Sequence, residues 1–457
     1  MSTDRKDLDR REFLKVGGAA AVTGAIVAGR ELSAGAADAV PMDYAKWPFA
    51  VAPIPMVRIG FVGVGLQGTG HVENLAHIPG CRVTAICDID EARIKIASKI
   101  ITDAGHPAPK VYMNGPRDFE NLCEKEELDL VYTATPWEWH VPVMLAAMKN
   151  GKHAATEVPA AMSVDDCWAM VEAAEKYQKH CVLMENCNYD KPELMVYNMV
   201  RKGLFGDIIH AEGAYLHDLR SIKFEDRSEG LWRRAWATKL NGNLYPTHGL
   251  GPIANCLDNN RGDRFDYMVS MSGPARGLQD WRKDHVAADS PKQKENYICG
   301  DINLSLIKMQ SGKTIVVQHC TNLPRPYSRI NLVQGTKGLF MGSPNRVYIE
   351  GKSARRDQWE DMSVWMKDHE HPLWQSETAK KATSAGHGGM DFLEDYRLIK
   401  CLNEGKPTDF SVYDAAAISA VVGMSAQSVQ KKGAPVSFPD FTRGKWKTTP
   451  PWEIVNA

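Results

Sequence analysis

The hexapeptide Gly63-Val64-Gly65-Leu66-Gln67-Gly68 constrains this 457-residue chain more than any other feature. It follows the apolar, β-favouring run Val57-Arg58-Ile59-Gly60-Phe61-Val62 and opens a helix-compatible stretch from Thr69 to Ala76. In such a strand–turn–helix each glycine has a task. Gly63 permits the tight turn, Gly65 lets backbone N–H groups approach a pyrophosphate, and Gly68 lets the helix pack close to the strand. Phosphate charge then meets the unpaired N–H groups of a helix N-terminus. Glycine-rich turns are common, so the string alone also fits a purely structural turn. Its surroundings favour a dinucleotide: a second strand, Arg82 to Cys87, ends in Asp88. A carboxylate there accepts hydrogen bonds from ribose hydroxyls and repels a 2′-phosphate, so the pattern points to NAD rather than NADP.

Alternation continues beyond Asp88. Leu128 to Ala134, His153 to Glu157 and Cys181 to Glu185 read as strands. Pro136-Trp137-Glu138-Trp139-His140 opens a helix running to Lys149, and a second helix runs from a Ser163 cap to Lys179. Strands spaced by helices imply a parallel, doubly wound sheet, with ligands beyond its carboxyl ends at Asp88, Thr135 to His140, Glu157-Val158 and Asn186. From about residue 187 longer alternating stretches take over. Asp207 to Tyr215, Met268 to Ser272, Asp301 to Met309, Lys313 to Thr321 and Ser328 to Gln334 read as strands of one large sheet. Asp391 to Asn403 and Asp414 to Gln430 read as helices, and 352–385 as a long surface loop with short helices. The expected fold class is α/β: an N-terminal Rossmann sheet, then a C-terminal α+β domain with a mostly antiparallel, open-faced sheet. The corresponding divisions are 57–186 for NAD binding and 187–457 for substrate and oligomer contacts, the open face favouring a homo-oligomer.

Residues 1–39 carry an export signal. Arg10-Arg11-Glu12-Phe13-Leu14-Lys15 precedes a short apolar stretch and small residues, as in the twin-arginine class, and 40–56 reads as a linker or arm. The apolar stretch is too short for a comfortable membrane span, so the expected location is periplasmic, without a stable membrane anchor. Lys plus Arg is 55 against 56 for Asp plus Glu, which gives no electrostatic footprint for nucleic acid. The ten Cys include no C-x-x-C pair, and no H-E-x-x-H cluster exists; no metal is expected.

Gly63 to Gly68, Asp88, Thr135-Pro136 with His140, and Glu157-Val158-Pro159 together resemble the Gfo/Idh/MocA oxidoreductase-like family. Val158 stands where many dehydrogenases of that family carry a lysine. Further strings narrow the resemblance: Trp137-Glu138-Trp139-His140, Glu185-Asn186, Tyr215-Leu216-His217-Asp218-Leu219-Arg220, Trp232-Arg233, Tyr245-Pro246-Thr247-His248-Gly249, Arg325-Pro326-Tyr327 and Gly386-His387-Gly388-Gly389-Met390-Asp391. Taken in order they look like glycoside hydrolase family 109, α-N-acetylgalactosaminidases that retain NAD. By this resemblance the dinucleotide touches Leu66, Gln67, Asp88, Trp137, Glu138, Trp139, His140, Glu157, Val158, Asn186 and Tyr245. The sugar meets Tyr215, Arg233, Tyr245, Pro246, Thr247, His248 and Tyr327.

The resemblance implies a redox route to hydrolysis, an exception to the usual pair of carboxylates. Hydride leaves C3 of the sugar, the ketone makes C2–H acidic, the C1 substituent is expelled, water adds, and hydride returns. Such a cycle needs proton acceptors and a proton donor, for which His248 and Tyr215 are the candidates: imidazole titrates near neutrality, and a phenol can shuttle a proton if its neighbours lower its pKa. Alone, His248 reads equally as a structural histidine at a helix start, Tyr215 as a core aromatic, and Arg233 as one member of a surface ion pair. Two other functions stay open on the sequence: a sugar dehydrogenase that needs cofactor turnover, and a sugar-binding protein that keeps NAD as a structural group.

Overall fold

The computed structural model describes residues 51–382, 386–451 and 454. The export signal expected at 1–39 and the 40–50 portion of the arm lie outside the described residues.

A six-stranded parallel sheet comes first: β1 (Val57–Val62), β2 (Cys81–Cys87), β3 (Lys110–Tyr112), β4 (Leu130–Thr133), β5 (His153–Thr156) and β6 (Cys181–Leu183), in the order β3-β2-β1-β4-β5-β6. Strands β4 and β5 are buried at every residue, as a parallel sheet covered on both faces requires. The connecting helices are α1 (Leu66–His77), α2 (Glu91–Asp103), α3 (Phe119–Lys125), α4 (Trp137–Lys149) and α5 (Val164–Tyr177). Strand order reverses between β1 and β4, which opens the crevice where a doubly wound sheet binds its ligand. Sequence periodicity missed β3, α2 and α3. β3 is a three-residue edge strand with no buried side chain, and α2 buries only Ile94, Ala97 and Ile101.

A nine-stranded sheet follows, ordered β14-β13-β12-β11-β7-β10-β9-β8-β15. Its members are β7 (Ile208–Leu216), β8 (Phe265–Ser272), β9 (Asn303–Met309), β10 (Thr314–Cys320), β11 (Leu332–Gly335), β12 (Gly338–Met341), β13 (Arg346–Ile349), β14 (Glu360–Asp361) and β15 (Val436–Ser437). Only β7 and β10 run parallel. The strand expected from Ser328 begins at Leu332 instead. Ile330 and Asn331 adopt φ of 62° and 50°, so the chain turns through the left-handed region first, and Ser328 keeps only an isolated bridge to Leu216.

Helices α6 (Lys191–Arg201), α7 (Arg220–Phe224), α8 (Arg233–Lys239), α9 (Thr247–Cys256) and α10 (Gly277–His285) lie between strands of this half. The 352–385 stretch holds three short helices, α11 (Ser363–His369), α12 (Pro372–Gln375) and α13 (Glu377–Ala382). Two long helices, α14 (Met390–Glu404) and α15 (Val412–Gln430), return toward the first sheet. A reciprocal Ser411–Asp414 capping box starts α15, whose small side chains let three of its serines reach neighbouring backbone. Ser419 Oγ accepts from the Ala160 N–H (3.1 Å), Ser425 Oγ from that of Asn243 (2.8 Å) and Ser428 Oγ from that of Ser270 (2.8 Å). One helix thereby fastens a loop of the parallel sheet, the chain leading to Tyr245, and a strand of the second sheet.

Helix α9 approaches β7 at backbone distance. A Cβ on Gly249 would lie 2.1 Å from Ala214 N, and one on Gly213 would lie 2.2 Å from Gly249 O. A Cβ on Gly251 would lie 2.8 Å from Glu185 Cγ. Glycine inside a helix costs about 1 kcal/mol relative to alanine, and here the cost is offset by contact no other residue permits.

Burial also fixes the acid limit of the fold. It pushes His153 and His319 down to about 3, and His180 and His371 down to about 4, while each titrates near 6.5 in an unfolded chain. Between those values the unfolded chain binds more protons, so stability falls as pH drops from about 6.5 toward 4. Two such groups together oppose folding by several kcal/mol at the acid end, a large part of a typical total. Thermal unfolding followed by circular dichroism is expected to show Tm dropping steeply between about pH 6 and pH 4. A Tm that stays level over that interval contradicts the assignment.

Candidate active site

The glycine turn builds a cradle at the carboxyl edge of the parallel sheet. Gly63 has φ of 84°, its N–H donates to Cys87 O (2.8 Å), and a Cβ there would sit 2.9 Å from Ala134 O. A Cβ on Gly68 would sit 2.0 Å from Gly63 O, so the third glycine sets the helix on the strand. Gly65 differs: a Cβ there would meet nothing within 4 Å, which leaves its backbone open to a ligand. Asp88 accepts from the N–H groups of Val64 (2.7 Å) and Asp90 (2.9 Å), and each carboxylate oxygen keeps a lone pair for a ribose hydroxyl. Leu66 and Ile89, next to the turn and to Asp88, are exposed by 68% and 71%, apolar surface suited to a purine. These residues fit a dinucleotide.

Toward the middle of the edge the expected cofactor contacts divide. His140 is buried between two carbonyls, Nδ1 2.8 Å from Pro159 O and Nε2 2.8 Å from Thr135 O, and a neutral ring donates to only one of them. Burial pushes its pKa down. Trp139 packs edge-on against Phe119, and Glu138 accepts from Trp236 Nε1 at 3.4 Å. Val158 is buried, and its N–H donates to Glu157 Oε2 (3.0 Å). The other oxygen of Glu157 meets His71 Nε2 at 2.7 Å, while His71 Nδ1 meets Asp395 Oδ2 at 2.9 Å. Burial disfavours the His71 charge, but Asp395 and then Glu157 outweigh it and hold the imidazole well above its usual range. Asn186 Nδ2 donates to Asp391 Oδ1 (2.6 Å), whose other oxygen meets Gln67 Nε2 (3.3 Å) and His387 Nδ1 (2.6 Å). The first two turns of α1, the ends of β5 and β6, and α14 thus share one hydrogen-bond network, joined where Gln67 Nε2 lies 3.4 Å from His71 Nε2.

The expected sugar residues converge beside this edge. Tyr215, near the end of β7, has its ring centroid 4.4 Å from that of Tyr245, 5.4 Å from His248 and 6.2 Å from Tyr327. Its register partner on β10 is His319. His248, in the first turn of α9, places Nδ1 2.7 Å from Glu185 Oε1. A carboxylate accepts only from an N–H, so the neutral ring keeps its proton on Nδ1 and leaves the Nε2 lone pair free. Glu185 is fully buried and its Oε2 has no partner. Pro246 caps α9, and Thr247 is buried with an unpartnered hydroxyl. Arg233 is not a surface group: it is 6% exposed, boxed by the rings of Trp137, Trp232 and Tyr245 at 5.2–5.3 Å, and bonded to Glu229 Oε1 (2.7 Å). Its Nε is buried and unpartnered. Tyr327 stands at the rim, 44% exposed.

One premise of the sequence reading is corrected. The phenol of Tyr215 is not lowered by its neighbours; burial pushes it up to about 12, against the smaller opposing effect of Arg233. Its OH lies 3.1 Å from His217 Nδ1, and burial and Arg233 push His217 down, so the neutral ring accepts from the phenol. Sequence reasoning quoted Glu185 without a role, offered His217, His387 and Asp391 only as groups supporting the catalytic residues, and missed His71, Glu229 and Asp395. Glu229 lies in a short 3₁₀ turn (Ser228–Leu231) and Arg233 opens α8, so the pair belongs to no single helix and, like His71 and Asp395, 324 positions apart, carried no local signal.

Among the described residues one group could gather a cation: Glu185, Cys187 and His248, whose ligand atoms lie within 4.8 Å of one another. Ligands about 2.0 Å from a tetrahedral ion stand more than ~3 Å apart, whereas Glu185 and His248 are at hydrogen-bond distance, and burial pushes the Cys187 thiol well up. The arrangement is that of an acid–histidine pair beside a protonated thiol.

Residues 57–185 match the family described as "Oxidoreductase family, NAD-binding Rossmann fold", and 189–448 match "Glycosyl hydrolase 109, C-terminal domain". A glycosyl hydrolase family 109 protein of Shewanella pealeana is 46% identical, the alignment covering 98% of this chain and all of that one. A second, from Shewanella baltica, is 46% identical over 99% of this chain. Among solved structures, levoglucosan dehydrogenase in complex with NADH shares the fold, with a TM-score of 0.64, 18% identity, and coverage of 84% of this chain and 99% of that one. Scyllo-inositol dehydrogenase of Lactobacillus casei with bound NAD(H) and scyllo-inositol gives a TM-score of 0.59 at 14% identity, covering 84% and 99%. The dinucleotide of the cradle is NAD. With both halves matched and relatives aligned end to end, the chain belongs to glycosyl hydrolase family 109.

Proposed function

We propose that the protein removes terminal α-N-acetylgalactosamine by oxidation, elimination, addition and reduction, with NAD retained, and that it does so after export to the periplasm. The observation that carries this reading is the Glu185–His248 pair meeting Tyr215 and Arg233 beside the dinucleotide cradle. NAD, when bound, supplies a hydride acceptor at the start and a hydride donor at the end, so no cofactor is consumed. His248 Nε2, held in place through Nδ1, takes a proton from the sugar. Tyr215 keeps its proton at neutral pH and gives a hydrogen bond to a sugar oxygen, with His217 as its relay. The orphaned Arg233 Nε binds the N-acetyl carbonyl or a developing oxyanion, and the Tyr327 ring lies along the sugar. The buried Val158, in place of a lysine, weighs against simple dehydrogenation.

We further propose that the outward face of the second sheet pairs with a second copy of this chain. Tyr267, Met271, Leu304 and Leu306 are exposed there on β8 and β9. Nine strands spaced ~4.8 Å apart present roughly 800 Å², about what each partner of a standard interface buries. Light scattering after gel filtration is expected to give a dimer mass for the wild type and a monomer mass for Leu306→Lys; a monomeric wild type refutes the pairing.

The reaction is tested with a chromogenic α-N-acetylgalactosaminide in deuterated water. Chromophore release is expected with deuterium at C2 of the product sugar and no net NADH. Steady NADH accumulation instead identifies a dehydrogenase, and release without deuterium refutes the elimination.

Side-chain roles are tested by His248→Ala, Tyr215→Phe and Glu185→Gln, each expected to lower kcat by ~10²–10⁴ while NAD remains bound. Wild-type turnover in any of them removes that residue from the chemistry.

A further inference from the structure

A short segment of the second half reaches across the mouth of the dinucleotide crevice. Residues 225–232 leave α7, make a 3₁₀ turn at Ser228–Leu231 and enter α8. The root of this segment is firm. Lys223 Nζ bonds Thr321 Oγ1 and Asn322 Oδ1, Arg234 Nη1 donates to Lys223 O (2.5 Å) and Gly230 O (3.2 Å), and Arg234 Nε donates to Glu295 Oε2 (2.7 Å). The turn is closed on itself, since a Cβ on Gly230 would lie 2.2 Å from Glu225 O. Its hydrogen bonds to the first half are longer. Ser228 Oγ accepts from Arg93 Nη2 at 3.4 Å, and Trp236 Nε1 donates to Glu138 Oε2 at 3.4 Å. Trp232 adds an edge contact to Trp137, with ring centroids 4.9 Å apart.

The two sets of contacts fall on opposite sides of the crevice. Arg93 stands in the first turn of α2, just beyond Asp88 and the end of β2, whereas Trp137 and Glu138 open α4 at the end of β4. In the sheet β1 lies between β2 and β4. Chain that meets Arg93 at Ser228 and Trp137 at Trp232 therefore crosses in front of the Gly63–Gly68 turn, where a pyrophosphate rests on the N-terminus of α1. Leu231 belongs to that crossing and is 66% exposed, much like Leu66 and Ile89 on the cradle itself. Large apolar side chains left open around one cleft mark a surface that a ligand covers.

We propose that residues 228–232 are a strap closed over the dinucleotide, with Leu231 packed on its adenosine half, and that NAD leaves only when the strap lifts. The long hydrogen bonds to Arg93 and Glu138 let the tip move while the root stays fixed. The inference concerns exchange of the cofactor and holds whichever reaction the NAD serves, so it stands apart from the glycosidase reading.

The test follows cofactor exchange on the holoenzyme and needs no turnover. Protein carrying NAD labelled in its adenine is freed of unbound label and chased with excess unlabelled NAD, and the label still bound is counted over time. Leu231→Ala is expected to release NAD about tenfold faster than the wild type, and Arg93→Ala about threefold faster. Leu231→Met, which keeps an apolar chain of similar reach, is expected to release it at close to the wild-type rate. Circular dichroism confirms that each variant is folded, and Leu231 is exposed enough that its replacement leaves the core alone. Release from folded Leu231→Ala within about twofold of the wild-type rate overturns the strap, as does Leu231→Met releasing as fast as Leu231→Ala. Wild-type exchange complete on mixing overturns it as well.

Discussion

Helix α9 lies on β7 and on the turn after β6 at distances that only glycine tolerates, because Gly213 and Gly249 face each other and Gly251 faces Glu185. Three consequences meet in that contact. His248, next to Gly249, is brought to the ring of Tyr215; Glu185, opposite Gly251, reaches His248 Nδ1; and the turn carrying Asn186 packs against α9. A helix one methyl group farther out would keep every residue and lose the constellation. The constraint acts through the backbone, so α9 carries two glycines and Pro252 at the expense of its own helical propensity.

A second constraint holds the cofactor side. His71 stands fully buried between Glu157 and Asp395, and α14, almost 330 residues along the chain, supplies Asp391, Glu394 and Asp395 to the same region. Burial, with the neighbouring carboxylates and against the opposing pull of His71, pushes Glu394 well up, which favours its neutral form in this crowded cluster. Removing one member of such a network strands the others, and its worth lies in fixing where Glu157 and Asn186 stand. The long return of the chain through α14 and α15 is thus part of the site, although neither helix belongs to the parallel sheet.

These two constraints mark where the sequence could be read and where it could not. The Rossmann turn was legible because its signal is local: strand, three glycines and Asp88 fall within 32 residues and leave little choice of conformation. Long alternating strands such as β9 and β10 were legible for the same reason. Short strands were not, since β3, β12 and β13 have three or four residues and too little pattern to register. In the site, resemblance pointed to Tyr215, Arg233, Tyr245 and His248, which the fold brings together. It did not yield the partner of His248, the aromatic box around Arg233, or the high pKa of Tyr215. Those properties come from burial and from contacts between residues far apart in the chain, which no window of sequence contains.

The two sides of the pocket differ in sign, and the difference bears on what can react between them. On the cofactor side the groups are Glu157, Asp391 and Asp395 around His71, more carboxylate than cation. Behind Tyr215 most groups are nitrogenous: Arg233, whose charge is shared with Glu229, the neutral His319, and Lys223, a buried amine that burial lowers to about 8 and that bonds only neutral oxygens of Thr321 and Asn322. A cationic ring is favoured against the first wall and an oxyanion against the second. These dipoles and charges are fixed by burial before any ligand arrives, so little reorganisation is needed when charge develops on the sugar. At the cofactor edge Val158 is buried and apolar, whereas the guanidinium of Arg233 stands on α8, paired with Glu229. On the proposed mechanism, that separation supports charge on a sugar enolate, the step by which elimination differs from dehydrogenation.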